Sequence, residues 1–178
     1  LPGKFESLDN DEPRLILPFL TDDKKMFGFQ GRSFDPNAEV KYITIMLDKT
    51  HPRIFGLDTA DFSKRLYCVE GPIDSLFLSN AIASCGGDID VELSLINCSR
   101  ENIVVVYDNE PRNKETVRKM AKAITKGYKV CIWPDIEQKD INDMIKAGYN
   151  SDQIEAMIDK CTYSGLEAEL VLTHWKRC

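Results

Sequence analysis

Short apolar runs separated by turn residues make up the first third of the chain. The runs cover residues 14–17, 26–29, 42–45 and 53–55. Aspartate, asparagine and proline occupy the intervals between them, for example at 22–23 and 35–37, and these residue types are typical of turns. The pattern predicts a small, mainly antiparallel β module over residues 1–61.

From residue 62 onward, strands that are wholly or mostly apolar alternate with helical patterns. The predicted strands cover 66–69, 103–107 and 129–133. The predicted helices cover 73–84, 114–126 and 141–147, with two more from about residues 151 and 166. Strands that are apolar throughout are typical of a parallel sheet covered on both faces. We therefore expect an α/β domain over 62–150, with a mostly parallel sheet flanked by helices, and a helical segment over 151–178.

Composition narrows the class of protein. With 178 residues and 43% hydrophobic residues, the chain can form one domain, or a domain with a subdomain, around a sizeable core. No apolar run approaches the roughly 18 residues that a membrane span needs, so we expect no membrane association. The net charge of −6 argues against nonspecific coating of nucleic acid but permits a local basic groove. Because the chain begins at Leu1 and not at methionine, we expect a fragment with a missing upstream part.

The six cysteines form no Cys-x-x-Cys pair, and only two histidines are present. Buried free thiols of a reducing compartment are therefore expected in place of disulfides or a zinc site, and a cytoplasmic location follows.

Acidic and amide side chains follow each of the three predicted strands. They are Glu70 and Asp74 after the first strand, Asp108 and Glu110 after the second, and Asp140 and Asn142 after the third. The carboxyl ends of neighbouring parallel strands meet at one edge, where such sheets bind ligands. Carboxylates gathered there repel one another and need a cation or shifted pKa values. Oxygen ligands indicate Mg²⁺ or Mn²⁺, and such a site suits phosphoryl transfer.

Each acid also has a local explanation. Asp74 can be favoured by the dipole of a helix that begins beside it. Asp140 can be the N-cap of the helix predicted from Ile141. Asp108 and Glu110 can be loop acids without a partner. Acids at three successive strand ends nevertheless favour a metal site.

Two motifs resemble the Toprim signature, a Glu-Gly pair after one strand and an Asp-x-Asp after the next. They are Val-Glu-Gly-Pro-Ile-Asp at 69–74 and Val-Val-Val-Tyr-Asp-Asn-Glu at 104–110. Bacterial-type primases, type IA and type II topoisomerases and some nucleases share this signature. Segments 14–19, 28–32, 41–43 and 55–57 resemble, in order, the stretch before the Toprim domain in bacterial and phage primases. The chain thus resembles the catalytic core of a bacterial or phage DNA primase from about Arg14 to Gly148, and the final 162–177 is similar to phage primases.

The resemblance implies synthesis of RNA primers from ribonucleoside triphosphates on a single-stranded DNA template, with Mg²⁺ or Mn²⁺ and a replicative helicase as partner. It assigns 1–61 to a basic module that binds nucleotide and template, and 62–150 to the catalytic Toprim domain. It implies that Glu70 is a metal ligand or base, that Asp108 and Glu110 hold metal with Asp74 in support, and that Asp140 and Asn142 complete a second metal position. It also implies that Arg32, Lys41 and Tyr42 contact the triphosphate, and that Arg14 lies near template or nucleotide.

The sequence departs from the primase pattern in two places. Glu110 replaces the second aspartate of Asp-x-Asp, and Asn142 stands where a primase usually carries an aspartate. These departures keep open a nucleotide- or partner-binding module without turnover. A Toprim nuclease is the enzyme alternative, because such nucleases use similar acids to cut. Basic residues on the predicted helix over 114–126, Lys119 among them, fit a groove beside the site and a solvated helix face equally well.

Overall fold

The computed structural model describes residues 13–96 and 98–178. Its N-terminal part is a three-stranded antiparallel sheet in the order β1-β2-β3. The strands are β1 (Arg14–Leu20), β2 (Met26–Ser33) and β3 (Tyr42–Met46). The predicted antiparallel module is therefore confirmed. Arg32 lies opposite Tyr42 in the β2–β3 register, so both side chains project from the same face of this sheet.

The second sheet has five strands in the order β5-β4-β6-β7-β8. They are β4 (Leu66–Val69), β5 (Ala81–Ala83), β6 (Ile103–Val106), β7 (Lys129–Cys131) and β8 (Thr162–Tyr163). Only the β7–β8 pair is antiparallel among the pairings of this sheet within the described ranges. The predicted mostly parallel sheet is thereby confirmed. Because β8 adds an edge strand, residues 151–178 also contribute to the sheet; the division of the chain at residues 61 and 150 stays a prediction.

Four predicted helices are confirmed. They are α3 (Lys114–Thr125), α4 (Ile141–Lys146), α5 (Ser151–Lys160) and α6 (Gly165–Trp175). Helix α5 begins with a capping box in which Asn150 accepts from the Gln153 N–H and the Gln153 side chain accepts from the Asn150 N–H. The helix α2 (Ile89–Ser94), capped by Asp88, was not predicted.

The prediction of one helix over 73–84 is wrong. A single turn, α1 (Pro72–Ser75), is followed by β5, which pairs in parallel with β4. Asn80 fixes this change of direction, because its side-chain amide donates to the carbonyls of Asp61 at 2.9 Å and Arg65 at 2.7 Å. The predicted strand at 53–55 is also wrong: Phe55 forms an isolated antiparallel bridge with Ala83.

Both faces of the central strands are buried, as their apolar sequences predict. Alternate residues of β4 and β6 pack on opposite sides: Cys68 and Val105 toward α3 and α6, Val69 and Val106 toward α4 and α5. The second of these clusters includes Phe19 from the three-stranded sheet, which is fully buried. Burying a phenylalanine of this size contributes about 1.5–3 kcal/mol, so this contact helps to hold the β module against the α/β sheet.

In the part of the chain that the structure describes, no helix is long and apolar enough to cross a membrane. The six cysteines are free, and four of them are buried.

Candidate active site at the carboxyl edge of the sheet

The acids predicted at three strand ends lie at one edge of the sheet. In the register of the central strands, Val69 is opposite Val106, and Val106 is opposite Cys131, so these strands end at the same level. Glu70 follows β4 directly, and Asp108 lies two residues past the end of β6. The structure thus brings these side chains to the position that the sequence predicted.

Asp108 is the acid most perturbed by this arrangement. Its side chain is 27% exposed. Burial raises its pKa to about 7, the negative charges of Glu70, Asp74 and Asp140 add to the rise, and Lys139 opposes it. Acids at the ends of two other strands therefore act on the charge of Asp108. A cluster of this kind is stabilised by a cation.

Lys139 supplies one positive charge, and sequence analysis missed it. Its ammonium nitrogen lies 3.6 Å from Asp108 Oδ2 and 3.2 Å from Glu110 Oε1. Glu110 also accepts a hydrogen bond of 3.1 Å from the Asn113 side chain. The sequence signal that could have indicated Lys139 is its position directly before Asp140, in the segment that follows the third predicted strand.

Glu70 is paired with a second lysine. Lys119, on α3, donates to Glu70 Oε1 at 2.9 Å and lies 3.7 Å from Glu115 Oε1. Lys119 therefore contacts the carboxyl edge of the sheet, which carries Glu70 and Asp108 and is called the acidic edge below, and is not only part of a solvated helix face.

Asp74 and Asp140 lie together on the other side of the edge. Asp74 Oδ1 accepts from the Asn142 N–H at 2.9 Å. Burial raises the pKa of Asp74 to about 6, and the charge of Asp140 contributes. Asp140 Oδ1 accepts from the Asp143 N–H at 2.8 Å, so Asp140 is the N-cap of α4, as the local alternative predicted. Its role as a ligand stays a prediction, as does that of the Asn142 side chain.

A cleft of about 250 Å³ separates these acids from the three-stranded sheet. Its basic and aromatic lining includes Arg32, Lys41 and Tyr42, and its opposite lining includes Asp74, Lys139, Asp140 and Asn142. The guanidinium carbon of Arg32 lies 5.5 Å from the centre of the Tyr42 ring. Burial raises the pKa of Tyr42, and the positive charge of Arg32 opposes that rise. Three of the predicted nucleotide-binding residues therefore line one cleft with Asp74, Asp140 and Asn142, whereas Glu70, Asp108 and Glu110 lie outside its lining.

Arg14 is placed differently. It lies at the start of β1, outside the lining of this cleft, and its guanidinium donates to the Val40 carbonyl at 2.9 Å. Its contact with template or nucleotide stays a prediction.

The donor set fits a hard divalent cation. Every predicted ligand offers oxygen, and the partly buried carboxylates repel one another. Among residues 13–96 and 98–178, however, no three Asp, Glu, His or Cys side chains lie close enough together to hold an ion in their present arrangement. The lysines on Glu70, Asp108 and Glu110 would have to give way to a bound ion.

Solved structures share the fold of this chain. The Escherichia coli primase catalytic core matches with a TM-score of 0.63 and 20% identity, covering 93% of this chain and 57% of that one. The RNA polymerase domain of Mycobacterium tuberculosis primase DnaG, in complex with a double-stranded DNA oligomer with a 6-nucleotide overhang, matches with a TM-score of 0.64 and 21% identity, covering 90% of this chain and 56% of that one. A DnaG catalytic domain bound to single-stranded DNA matches with a TM-score of 0.58 and 19% identity, covering 83% and 51%. The fold is that of a primase catalytic core.

The sequence relates the chain to a phage enzyme in particular. The DNA primase of Enterobacteria phage T4 is 36% identical over 179 residues, which cover 99% of this chain and 51% of that protein. The chain spans about half the length of this curated relative. No protein-family model matches the chain. The resemblance to the catalytic core of a bacterial or phage DNA primase is thus confirmed.

Proposed function

We propose that this chain catalyses DNA-templated synthesis of short RNA primers for DNA replication. One observation carries the proposal: Asp74 and Asp140, whose charges act on Asp108, line the same cleft as Arg32, Lys41 and Tyr42. An incoming nucleotide needs positive charge around its triphosphate. It also needs acidic groups that hold metal ions where the phosphate bond breaks. The primase catalytic-core fold and the similarity to a phage primase support the same reaction.

The basic side of the cleft and the acids at the strand ends would have separate tasks. Arg32 offers a planar pair of donors to phosphate oxygens, Lys41 offers a mobile point charge, and Tyr42 offers a ring face or a hydroxyl. Glu70, at the end of β4, would serve as metal ligand or accept the proton of the attacking 3′-hydroxyl.

The metal ions would be Mg²⁺ or Mn²⁺. Glu70, Asp108 and Glu110 would hold one of them, with Asp74 in support, and Asp140 and Asn142 would complete a second position. Bound there, such ions polarise the phosphate and favour departure of pyrophosphate.

The partners follow from the reaction. A template of single-stranded DNA is supported by the DnaG catalytic domain solved with single-stranded DNA, and Arg14 would lie near template or nucleotide. Ribonucleoside triphosphates would be the substrates and a replicative helicase the protein partner. The reaction would take place in the cytoplasm of a bacterium or of a phage-infected host.

Extension of a short annealed RNA primer on single-stranded DNA tests the site. Asp108→Asn and Glu70→Gln should reduce extension by at least about a hundredfold, in line with the loss of a group that stabilises charge in the transition state. Asp152→Asn, on the exposed surface of α5, is the matched control and should retain activity. Full extension by both site variants would refute the assignment.

The same reactions distinguish the alternatives. Cleavage of labelled DNA or RNA without nucleotides would support a Toprim nuclease. Triphosphate binding without any product would support the binding module that the Glu110 and Asn142 departures allow.

A further inference from the structure

Asn109 connects the segment that follows β6 to the segment that follows β7. It lies between Asp108 and Glu110, and its side-chain amide donates to the carbonyls of Ile136 and Gln138, both at 3.0 Å. Its backbone N–H donates to the Lys139 carbonyl at 2.6 Å. Three hydrogen bonds from one residue therefore fasten the segment 136–139 to the segment that carries the two acids.

This attachment determines where the Lys139 side chain begins. With its carbonyl held by Asn109, Lys139 reaches back to Asp108 Oδ2 at 3.6 Å and Glu110 Oε1 at 3.2 Å. The residue that separates the two acids in sequence thus positions the cation that neutralises them in space. Neighbouring carboxylates attract a hard divalent ion, so lysine and ion would compete for the same oxygens.

We propose that Asn109 is a positioning residue that holds Lys139 as a built-in cation on Asp108 and Glu110, and that a divalent ion must displace Lys139 to bind there. The inference deepens the proposed function, since it concerns the same acidic edge. It assigns Asn109 and Lys139 a role in setting the affinity of Asp108 and Glu110 for metal.

Removing the lysine charge should therefore tighten metal binding. A positive charge within about 4 Å of two carboxylates opposes a second cation strongly in a protein interior and weakly in water. The Lys139 side chain is 52% exposed, so solvent screens the effect and we expect roughly a tenfold gain in affinity.

Mn²⁺ binding to the metal-free protein tests this, with the free ion counted by electron paramagnetic resonance. Lys139→Met keeps the length of the side chain without its charge and should bind Mn²⁺ roughly tenfold more tightly than the wild type. Lys64→Met is the matched control: Lys64 lies 2.8 Å from Asp61 Oδ2, before β4, so it is at the opposite edge of the sheet and should bind Mn²⁺ as the wild type does. Lys139→Gln should reproduce the gain and serves as the second variant if Lys139→Met loses its cooperative unfolding transition.

Asn109→Ala tests the positioning step. With the segment released, Lys139 should spend less time on the two acids, so Mn²⁺ affinity should rise to a value between wild type and Lys139→Met. The double variant should bind no more tightly than Lys139→Met, because Asn109 acts through the lysine. Wild-type affinity in Asn109→Ala would overturn the positioning role, and unchanged or weaker binding in both Lys139 variants would overturn the whole inference.

Primer extension by the same preparations separates this inference from the proposed function. Tighter Mn²⁺ binding by Lys139→Met in a chain that makes no product would support the inference and contradict the function. Extension by the wild type without any gain in Mn²⁺ affinity in Lys139→Met would support the function and contradict the inference.

Discussion

Replacing Asp108 with asparagine should stabilise the metal-free protein at alkaline pH, although the change removes a predicted catalytic group. The pKa of Asp108 is raised from 3.8 to about 7, first by burial and then by the neighbouring negative charges. Between these pH values the folded protein retains a proton that the unfolded chain releases. The free energy of unfolding therefore falls as the pH rises from about 4 to about 7, and the full loss is present above pH 7.

The size of this loss follows from the pKa difference. The difference between a pKa of 3.8 and one of about 7 corresponds to roughly 4 kcal/mol, which is an upper limit because the Asp108 side chain is 27% exposed and solvent screens its charge. Asparagine keeps the shape of the side chain without the charge, so it should recover a large part of this energy. For a chain of this length, each 1 kcal/mol raises the midpoint of thermal unfolding by about 2–4 °C.

Thermal and urea unfolding of wild type and Asp108→Asn in EDTA, from pH 4 to pH 8, would measure the effect. The variant should be the more stable protein at pH 8, and the difference should disappear by pH 4. Asp152→Asn should show no comparable pH-dependent gain. A variant that is less stable than the wild type at pH 8, or a difference that does not change with pH, would refute the argument from burial and repulsion. Mg²⁺ should reverse the order, because only the wild type keeps the complete ligand set.

Three further predictions concern the cleft. Arg32→Gln should raise the KM for nucleotide about tenfold or more with a smaller effect on kcat, since the substitution removes a phosphate contact made before the reaction. Steady-state extension kinetics measure both constants, and an unchanged KM would contradict the prediction. Gly71→Ala should destabilise the fold by about 1–3 kcal/mol in urea unfolding. The added Cβ would lie 2.8 Å from Asp74 Oδ2 and would displace this carboxylate, whose Oδ1 accepts from the Asn142 N–H; wild-type stability would contradict the geometry. Asp140→Asn should retain stability, because asparagine also caps helices, but should lose extension activity; full activity would remove this residue from the ligand set. Asp140→Ala should lose activity and also about 1 kcal/mol in the free energy of unfolding.

Local patterns were sufficient to predict the elements that carry the acids. Strands β4, β6 and β7 are apolar because both faces of the sheet are covered, and the acids begin where burial ends. The helix α3 has Asn113 as its N-cap and Gly127 after its end, which are signals within the segment itself. The converging edge then follows from the rule that parallel strands end on the same side.

The elements that were not predicted depend on contacts between distant segments. The apolar spacing over 73–84 is compatible with a helix, but the chain gains more by pairing β5 with β4 and bonding the Asn80 side chain to Asp61 and Arg65. Leu76, one of the apolar residues of that segment, is 61% exposed. Helical periodicity alone does not reveal these competing partners.

The same limit applies to the charges of the site. Lys119 is 49 residues from Glu70 in the chain, and the contact between them depends on how α3 crosses the sheet edge. Asn109 and Lys139 meet only because β6 and β7 are neighbours. Sequence motifs indicated the acids, whereas the groups that balance and position those acids required the fold.

The central claim is that this acidic edge joins nucleotides on a DNA template. The most direct measurement is a single reaction containing single-stranded DNA, an end-labelled annealed RNA primer, ribonucleoside triphosphates and Mg²⁺ or Mn²⁺, in which primer length and released pyrophosphate are followed together. The account predicts template-dependent lengthening of the primer with one pyrophosphate released per nucleotide added, and loss of both signals in Asp108→Asn. Shortening of the primer or template without pyrophosphate, or lengthening that persists unchanged in Asp108→Asn, would contradict it.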